Sequence, residues 1–101
     1  MTTPSSETNK LMAMGIAASE ENRWEDAKSA FQSVLNKIPD HADAMWRLGM
    51  AIFFTGEVDP AIDLIELSLG QDSDNADAHN ALGFVFRTQD EFALAESHFR
   101  Q

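Results

Sequence analysis

The sequence predicts an all-α protein made of stacked helix pairs, and three observations lead to that fold class. Gly15, Gly49 and Gly83 lie 34 residues apart. Three further columns keep the same interval: Ala27, Ala61 and Ala95; Phe31, Ile65 and Phe99; Trp24, Val58 and Phe92. Within each unit the apolar residues follow helical spacing, and no segment alternates apolar and polar residues as a strand does. A fixed period of this length is typical of a repeat architecture.

The first helix of each unit is predicted from apolar residues at i, i+3, i+4 and i+7. These are Met45, Leu48, Gly49 and Ile52 in the second unit, and His79, Leu82, Gly83 and Phe86 in the third. The first unit gives a weaker version with Leu11, Met14, Gly15 and Ala18. We expect this face to be buried in every unit, with His79 filling the core of the third.

The second helix of each unit begins near Trp24, Val58 or Phe92. Short polar breaks at residues 22–23, 55–57 and 89–91 separate the two helical runs. Pro39, Gly70 and the polar cluster 72–75 are expected to end the second helices and to cap the helices that follow. Each unit is therefore predicted to be a helical hairpin.

Small residues at fixed places explain how the helices of a unit pack. Gly and Ala on facing helices let two backbones approach closely, while larger neighbours fill the remaining gap. We expect Gly15, Gly49 and Gly83 to make this contact. Because one hairpin cannot bury both of its apolar faces, successive hairpins should stack on one another.

Composition and charge exclude several classes of protein. The chain has 101 residues, the size of one domain, and 17 acidic residues against 7 basic ones give a net charge of −10. A field of that sign repels phosphates and anionic headgroups, so we expect no nucleic acid partner and no membrane insertion. The chain has no cysteine and shows no signal peptide or long apolar run, which predicts a cytoplasmic protein without disulfides.

The repeat carries a recognisable motif. In the second unit it is Met45-x₂-Leu48-Gly49-x₂-Ile52 followed by Ala61-x₃-Ile65; the third unit continues it with His79, Leu82, Gly83, Phe86, Ala95 and Phe99. This pattern closely resembles the tetratricopeptide repeat family over about residues 7–101, with Ser73 where the closing proline is expected. The resemblance implies a right-handed α-solenoid of antiparallel helix pairs. It also implies a non-catalytic scaffold that holds peptides or helices in a concave groove.

The expected domain organisation follows from the repeat. Residues 1–6 should be a flexible N-terminus, and residues 7–101 should form a single domain. Its units lie at about 8–41, 42–75 and 76–101, and the third is incomplete.

No constellation of residues points to catalysis or metal binding. His41, His79 and His98 lack the spacing of metal ligands, and there is no cysteine. The acidic cluster 72–77 lacks the central glycine and closing glutamate of a calcium loop. We therefore expect no enzyme activity, no catalytic residue, no metal and no cofactor.

The helix predicted over residues 43–54 carries an apolar stripe that its own core does not require. This second stripe consists of Trp46, Met50, Phe53 and Phe54. A helix that is apolar on two sides is either buried on both or exposes a binding patch. Because first helices line the concave face in the family, the resemblance implies a partner-binding groove here. Its expected residues are Met12, Ile16, Trp46, Arg47, Met50, Phe53, Phe54, Asn80, Phe84 and Arg87.

Two interpretations of the stripe stay open. Trp46 and Phe53 either thicken a thin core or anchor an apolar segment of a partner, with Arg47 and Arg87 available for a carboxylate. A separate self-association edge is expected at Phe92, Leu94 and Phe99, because no following repeat covers them.

The sequence thus predicts an interaction module that binds an apolar or amphipathic peptide or helix of another protein. Two alternatives remain beside it. One is a structural subunit that assembles as a homo-oligomer through its groove or its open edge. The other is a chaperone for a secreted client, a role that acidic three-unit members of the family fill in bacterial secretion systems.

Overall fold

The computed structural model describes the backbone of residues 5–99 and the side chains of residues 5–93. Every regular element in this part of the chain is a helix, which confirms the all-α prediction. The five helices are α1 (Ser6–Glu20), α2 (Trp24–Lys37), α3 (Ala42–Phe54), α4 (Val58–Gln71) and α5 (Ala76–Phe99). Each helix packs on the next one along the chain, so α1 with α2 and α3 with α4 form two stacked hairpins.

Side-chain caps begin three of the helices. The Ser5 hydroxyl accepts a hydrogen bond from the Thr8 amide at 3.1 Å, and His41 Nδ1 accepts one from the Ala44 amide at the same distance. Asn75 Oδ1 accepts from the backbone amide of the third residue of α5, also at 3.1 Å. Each cap satisfies an amide that has no partner within its own helix. The polar cluster 72–75 therefore does cap the following helix, as predicted.

The first two hairpins turn through a residue in the left-handed region of backbone space. Asn22 has φ 61° and Gly56 has φ 102°, and they lie 34 residues apart at equivalent places in their units. Glycine adopts this conformation without steric cost, and asparagine tolerates it better than most residues. These two residues let the chain reverse after α1 and after α3.

The third unit does not turn, and the predicted break at residues 89–91 is wrong. Helix α5 is 24 residues long and continues through residues 89–91 without interruption. The place equivalent to Asn22 and Gly56 is occupied by Asp90, and its neighbours Gln89 and Glu91 are residues that a helix accommodates readily. Aspartate enters the left-handed region at a higher cost than glycine, and this favours continuing the helix.

The glycine column packs differently in the third unit for the same reason. A Cβ placed on Gly15 would lie 2.5 Å from the Phe31 ring, and one on Gly49 would lie 2.7 Å from Ile65. These distances confirm the predicted close approach of the two helices in the first two hairpins. A Cβ on Gly83 would meet nothing within 4 Å among the described residues. The prediction for Gly83 is wrong because α5 continues as one helix through Phe99 and does not turn back across it.

The buried face of α5 also differs from the predicted one. Ala78, Ala81 and Val85 are buried, whereas His79 and Phe86 are exposed. His79 is therefore not core filler, and its Nε2 lies 2.9 Å from the carbonyl oxygen of Ser73 at the surface. The helix uses only the face that packs on the second hairpin, since the other predicted face has no partner helix.

Two apolar clusters form the core of the described residues. The first joins the two hairpins through Ala18, Ala27, Phe31, Leu48 and Ala51. The second joins α4 to α5 through Ile65, Ala81 and Val85. No helix within the described residues combines the length and the apolar character needed to cross a membrane.

Candidate functional site

The repeat places one apolar row along the three first helices. Ile16, Met50 and Phe84 lie 34 residues apart, so they occupy equivalent places in α1, α3 and α5. All three side chains are half-buried, which leaves part of each apolar surface in contact with solvent. Equivalent positions of stacked repeats line up along one surface of the stack. The row therefore crosses the unit boundaries, with one half-buried apolar side chain on each first helix.

Several predicted groove residues also contribute to the core. Met12 and Ile16 pack against the first apolar cluster, and Trp46, Met50 and Phe53 pack against the second. None of the five is fully buried. The two interpretations of the α3 stripe, a thicker core and a partner-binding groove, therefore apply to different parts of the same side chains. One part of each contacts the neighbouring unit, and the remainder faces solvent.

Aromatic rings meet at the C-terminal end of α3. Phe53 contacts Phe54 edge-to-face with ring centroids 5.2 Å apart, and Phe84 of α5 lies 5.9 Å from Phe53 and 6.0 Å from Phe54. Trp24 of α2 stacks on Phe54 at 4.4 Å. These separations fall in the range in which aromatic pairs attract each other beyond their buried area. Phe54 nevertheless keeps 43% of its surface exposed, so this aromatic cluster ends in a ring that solvent reaches.

Trp24 is a member of the aromatic cluster that the sequence reasoning did not assign to the site. A signal for it was present. Trp24 follows the break at residues 22–23 directly, and Phe54 precedes the break at residues 55–57 directly. Since both breaks lie at the same end of their hairpins, residues next to them come together when the hairpins stack.

A polar group lies at the other end of α3. The Trp46 indole Nε1 donates a hydrogen bond to Asp43 Oδ1 at 2.9 Å, and Asn75 Nδ2 donates to the same oxygen at 3.5 Å. The guanidinium carbon of Arg47 lies 4.5 Å from the centroid of the Trp46 ring, a cation–π contact. Arg47 Nε lies 3.9 Å from Asp43 Oδ2 and donates no hydrogen bond to any described group. The Arg47 side chain is therefore held between Trp46 and Asp43, and its Nε is buried.

The remaining groove residues lie on the exposed side of α5. Asn80 and Arg87 are both exposed, and the Arg87 guanidinium carbon is 5.8 Å from the Phe84 ring centroid. Arg87 forms no ion pair with a carboxylate among the described side chains. The structure thus brings Phe53 and Phe54 of α3 together with Phe84 of α5, and Arg87 lies beside Phe84.

The predicted self-association edge is described only in part. Phe92 is the most exposed large apolar residue of the described set, at 67%. The side chains of Leu94 and Phe99 lie outside the described residues.

A shallow cavity of about 400 Å³ lies on a different surface, against α1 and α2. Its apolar lining includes Leu11, Met14 and Ala17, and its polar rim includes Arg23 and Asp26. Arg23 donates hydrogen bonds to Glu21 and Asp26, which raise the pKa of its guanidinium. The cavity contains none of the predicted groove residues. We regard the groove as the stronger candidate because its aromatic and arginine side chains are the types that anchor protein interfaces.

The histidine and acidic side chains are of the types that hold metal ions. No group of three or more His, Asp or Glu side chains in this part of the chain is arranged to hold a metal ion. His41 caps α3, and His79 contacts a turn carbonyl. Both histidines therefore make contacts that support the local backbone.

Comparison with known protein families gives one match. The sequence model of the family described as Tetratricopeptide repeat matches residues 18–83, from the last turn of α1 into α5. A comparison with curated proteins gave no match. The family match covers both residues of the left-handed turns and all of α2, α3 and α4.

Proposed function

Because the chain belongs to the tetratricopeptide repeat family, we propose that it binds an apolar or amphipathic segment of another protein along its first helices. Proteins of this family generally mediate protein–protein interactions and are typically non-catalytic. The proposed segment lies along the row of Ile16, Met50 and Phe84. It is a peptide or a helix, and no cofactor takes part.

The observation that carries the proposal is the half-buried state of that row. A core residue in the same place would be fully covered by its neighbours. Each of the three is instead apolar and partly exposed, and each contacts neighbouring apolar side chains. Methionine in the middle position adapts its shape to different partners, which suits a surface that receives a segment from outside.

The aromatic cluster adds a rigid anchor point. Phe54 is held by stacking on Trp24 at 4.4 Å and still exposes 43% of its surface. A ring that is already fixed loses little conformational entropy when a partner side chain packs on it. Binding energy at protein interfaces concentrates on such residues.

Charge specifies the partner further. Arg47 and Arg87 are two of only 7 basic residues in a chain of net charge −10. Most of the surface therefore repels an acidic partner, while these two arginines offer hydrogen bonds to a carboxylate. The segment that fits best has an apolar side for the row and a single acidic group for one of the arginines.

The two alternatives change the partner. A self-assembling subunit would place a second copy of the chain on the row or on the open edge at Phe92, and a secretion-type chaperone would place a secreted client on the row. The exposed Phe86 and Phe92 favour the first alternative over the second, since they give the chain a further apolar surface. We propose a cytoplasmic setting for all three.

The test compares two double variants by affinity purification from the lysate of the native cell. The groove variant is Met50→Gln with Phe54→Ser. Its matched control is Met14→Gln with Leu67→Ser, which removes the same kind of apolar surface elsewhere; Met14 and Leu67 are 55% and 52% exposed. Both variants must keep the helical content and thermal midpoint expected of a folded chain.

The proposal expects a protein that the wild type and the control retain and the groove variant loses. Binding of a synthetic segment from that protein, followed by tryptophan fluorescence, should weaken at least tenfold in the groove variant, since an anchor side chain contributes about 2 kcal/mol. Equal binding by both variants would contradict the groove. Retention of the chain itself as the sole species would replace the proposal by the self-assembling subunit.

A further inference from the structure

The third unit leaves uncovered the face that the first two units cover. Sixteen residues separate Gly15 from Phe31, Gly49 from Ile65 and Gly83 from Phe99. In the first two hairpins the chain reverses, and the later residue comes within 2.5 Å or 2.7 Å of a Cβ placed on the glycine. In α5 the helix is continuous, so Phe99 lies about 24 Å from Gly83 along the axis at ~1.5 Å per residue.

The surface around Gly83 is open in the part of the chain that the structure describes. There nothing lies within 4 Å of a Cβ on Gly83, and Phe86, one turn further on, is 46% exposed. Glycine in a helix interior costs stability unless a close contact uses it. In this unit the contact is available but unfilled.

The segment that would fill the contact is present in the same chain. Phe92, Ala95 and Phe99 continue the columns of Trp24, Ala27 and Phe31, which cover α1 in the first hairpin. They lie on the second half of α5, beyond the reach of their own first half. Phe92 is 67% exposed.

We propose that the second half of α5 from one copy of the chain packs across Gly83 and Phe86 of another copy. The exchange restores in trans the hairpin that the first two units make in cis. Exchange of an identical element is a low-cost route to assembly because it reuses a contact already encoded in the chain. It does not involve the row of Ile16, Met50 and Phe84, so it is independent of the proposed function.

The geometry of α5 also sets the kind of assembly. At about 100° per residue, sixteen residues place Phe99 about 160° around the axis from Gly83. The face that receives a partner and the face that covers a partner therefore point to nearly opposite sides of one helix. A single straight partner helix cannot contact both, so each copy receives from one neighbour and covers another. Such head-to-tail contacts do not close into a dimer, and the size of the assembly should increase with protein concentration.

The first test changes the hinge and leaves both contact faces intact. Asp90 is exposed and stands at the place of Asn22 and Gly56. Asp90→Gly allows the turn and should favour the closed monomer, whereas Asp90→Ala strengthens the continuous helix and should favour assembly. Light scattering over a concentration series measures the protein concentration at which half of the chains are assembled. This concentration should be at least about fivefold higher for Asp90→Gly than for Asp90→Ala, the factor that corresponds to ~1 kcal/mol of helix propensity.

The second test traps the contact with cysteines, which the wild-type chain lacks. Gly83→Cys and Phe99→Cys are made in separate chains and mixed. Ile65 Cγ1 lies 2.7 Å from a Cβ on Gly49, so the equivalent pair comes within disulfide range if the contact forms. The mixture should give a disulfide-linked species of two chains, whereas either variant alone should not.

Four results would overturn the inference. They are a wild type that stays at 11.2 kDa at every concentration, equal midpoints for the two Asp90 variants, an assembly that stops at two chains, and a mixture without the mixed disulfide. A chain carrying both cysteines that links to itself, with no species of two chains, would show the closed monomer instead.

Discussion

Replacing Gly15 by alanine should destabilise the protein even though alanine is the better helix former. A Cβ at this position would lie 2.5, 2.7 and 2.8 Å from three carbons of the Phe31 ring. Real Cβ atoms essentially never come within 3.0 Å of a neighbour, and Phe31 has no exposed surface through which its ring could move away. Overpacking of this kind typically costs about 1–3 kcal/mol.

The gain from helix propensity opposes this cost but is smaller. Alanine is favoured over glycine by about 1 kcal/mol in a helix interior. The difference is a loss of up to about 2 kcal/mol of unfolding free energy for Gly15→Ala, which lowers the thermal midpoint by up to about 16 °C for a domain of this size. Urea titration followed by circular dichroism at 222 nm measures the free energy directly.

Gly70→Ala is the matched control. Nothing lies within 4 Å of a Cβ on Gly70, which is also in a helix, so the same substitution should leave stability unchanged or raise it by up to ~1 kcal/mol. Phe31→Leu in the Gly15→Ala background should recover part of the loss, since the smaller side chain relieves the contact. A Gly15→Ala protein as stable as the Gly70→Ala protein would refute the close approach of α1 and α2.

Two further substitutions test local contacts by the same denaturation assay. Ser68 is fully buried, and its hydroxyl donates a 2.7 Å hydrogen bond to the Ala42 carbonyl, so Ser68→Ala should cost about 1 kcal/mol by removing that bond between α4 and α3; an unchanged stability would contradict this. His41→Ala should cost about 1 kcal/mol by removing the cap of α3, whereas His41→Asn should keep the stability because asparagine caps well. Equal losses in the two His41 variants would show that the cap does not contribute.

The sequence predicts most of the fold because the same spacing of apolar and small residues recurs in each unit. Gly15 and Gly49, each sixteen residues before Phe31 and Ile65, identify the contact between two helices without any coordinates. The third copy shows the limit of that argument. Gly83 belongs to the same column, yet its contact depends on whether the chain turns at Asp90. The period identifies which positions of the three units are equivalent. It does not show whether the residue at a given position allows the chain to turn.

The sequence predicted which residues form the candidate site, but it did not predict how exposed each of them is. Helical spacing on α3 singled out Trp46, Met50, Phe53 and Phe54. It could not show that Trp46 and Phe53 pack on the second cluster while Phe54 is held by Trp24 from another hairpin. Those contacts join different units, so they follow from how the hairpins stack.

The all-α class, the 34-residue unit and the family could be read from residue spacing, because they depend on positions along one chain. The continuity of α5, the exposure of Phe86 and Phe92 and the meeting of four aromatic rings emerged from the folded structure. Each of these outcomes balances a local preference against a contact with a distant residue. That contact exists only after the chain has folded.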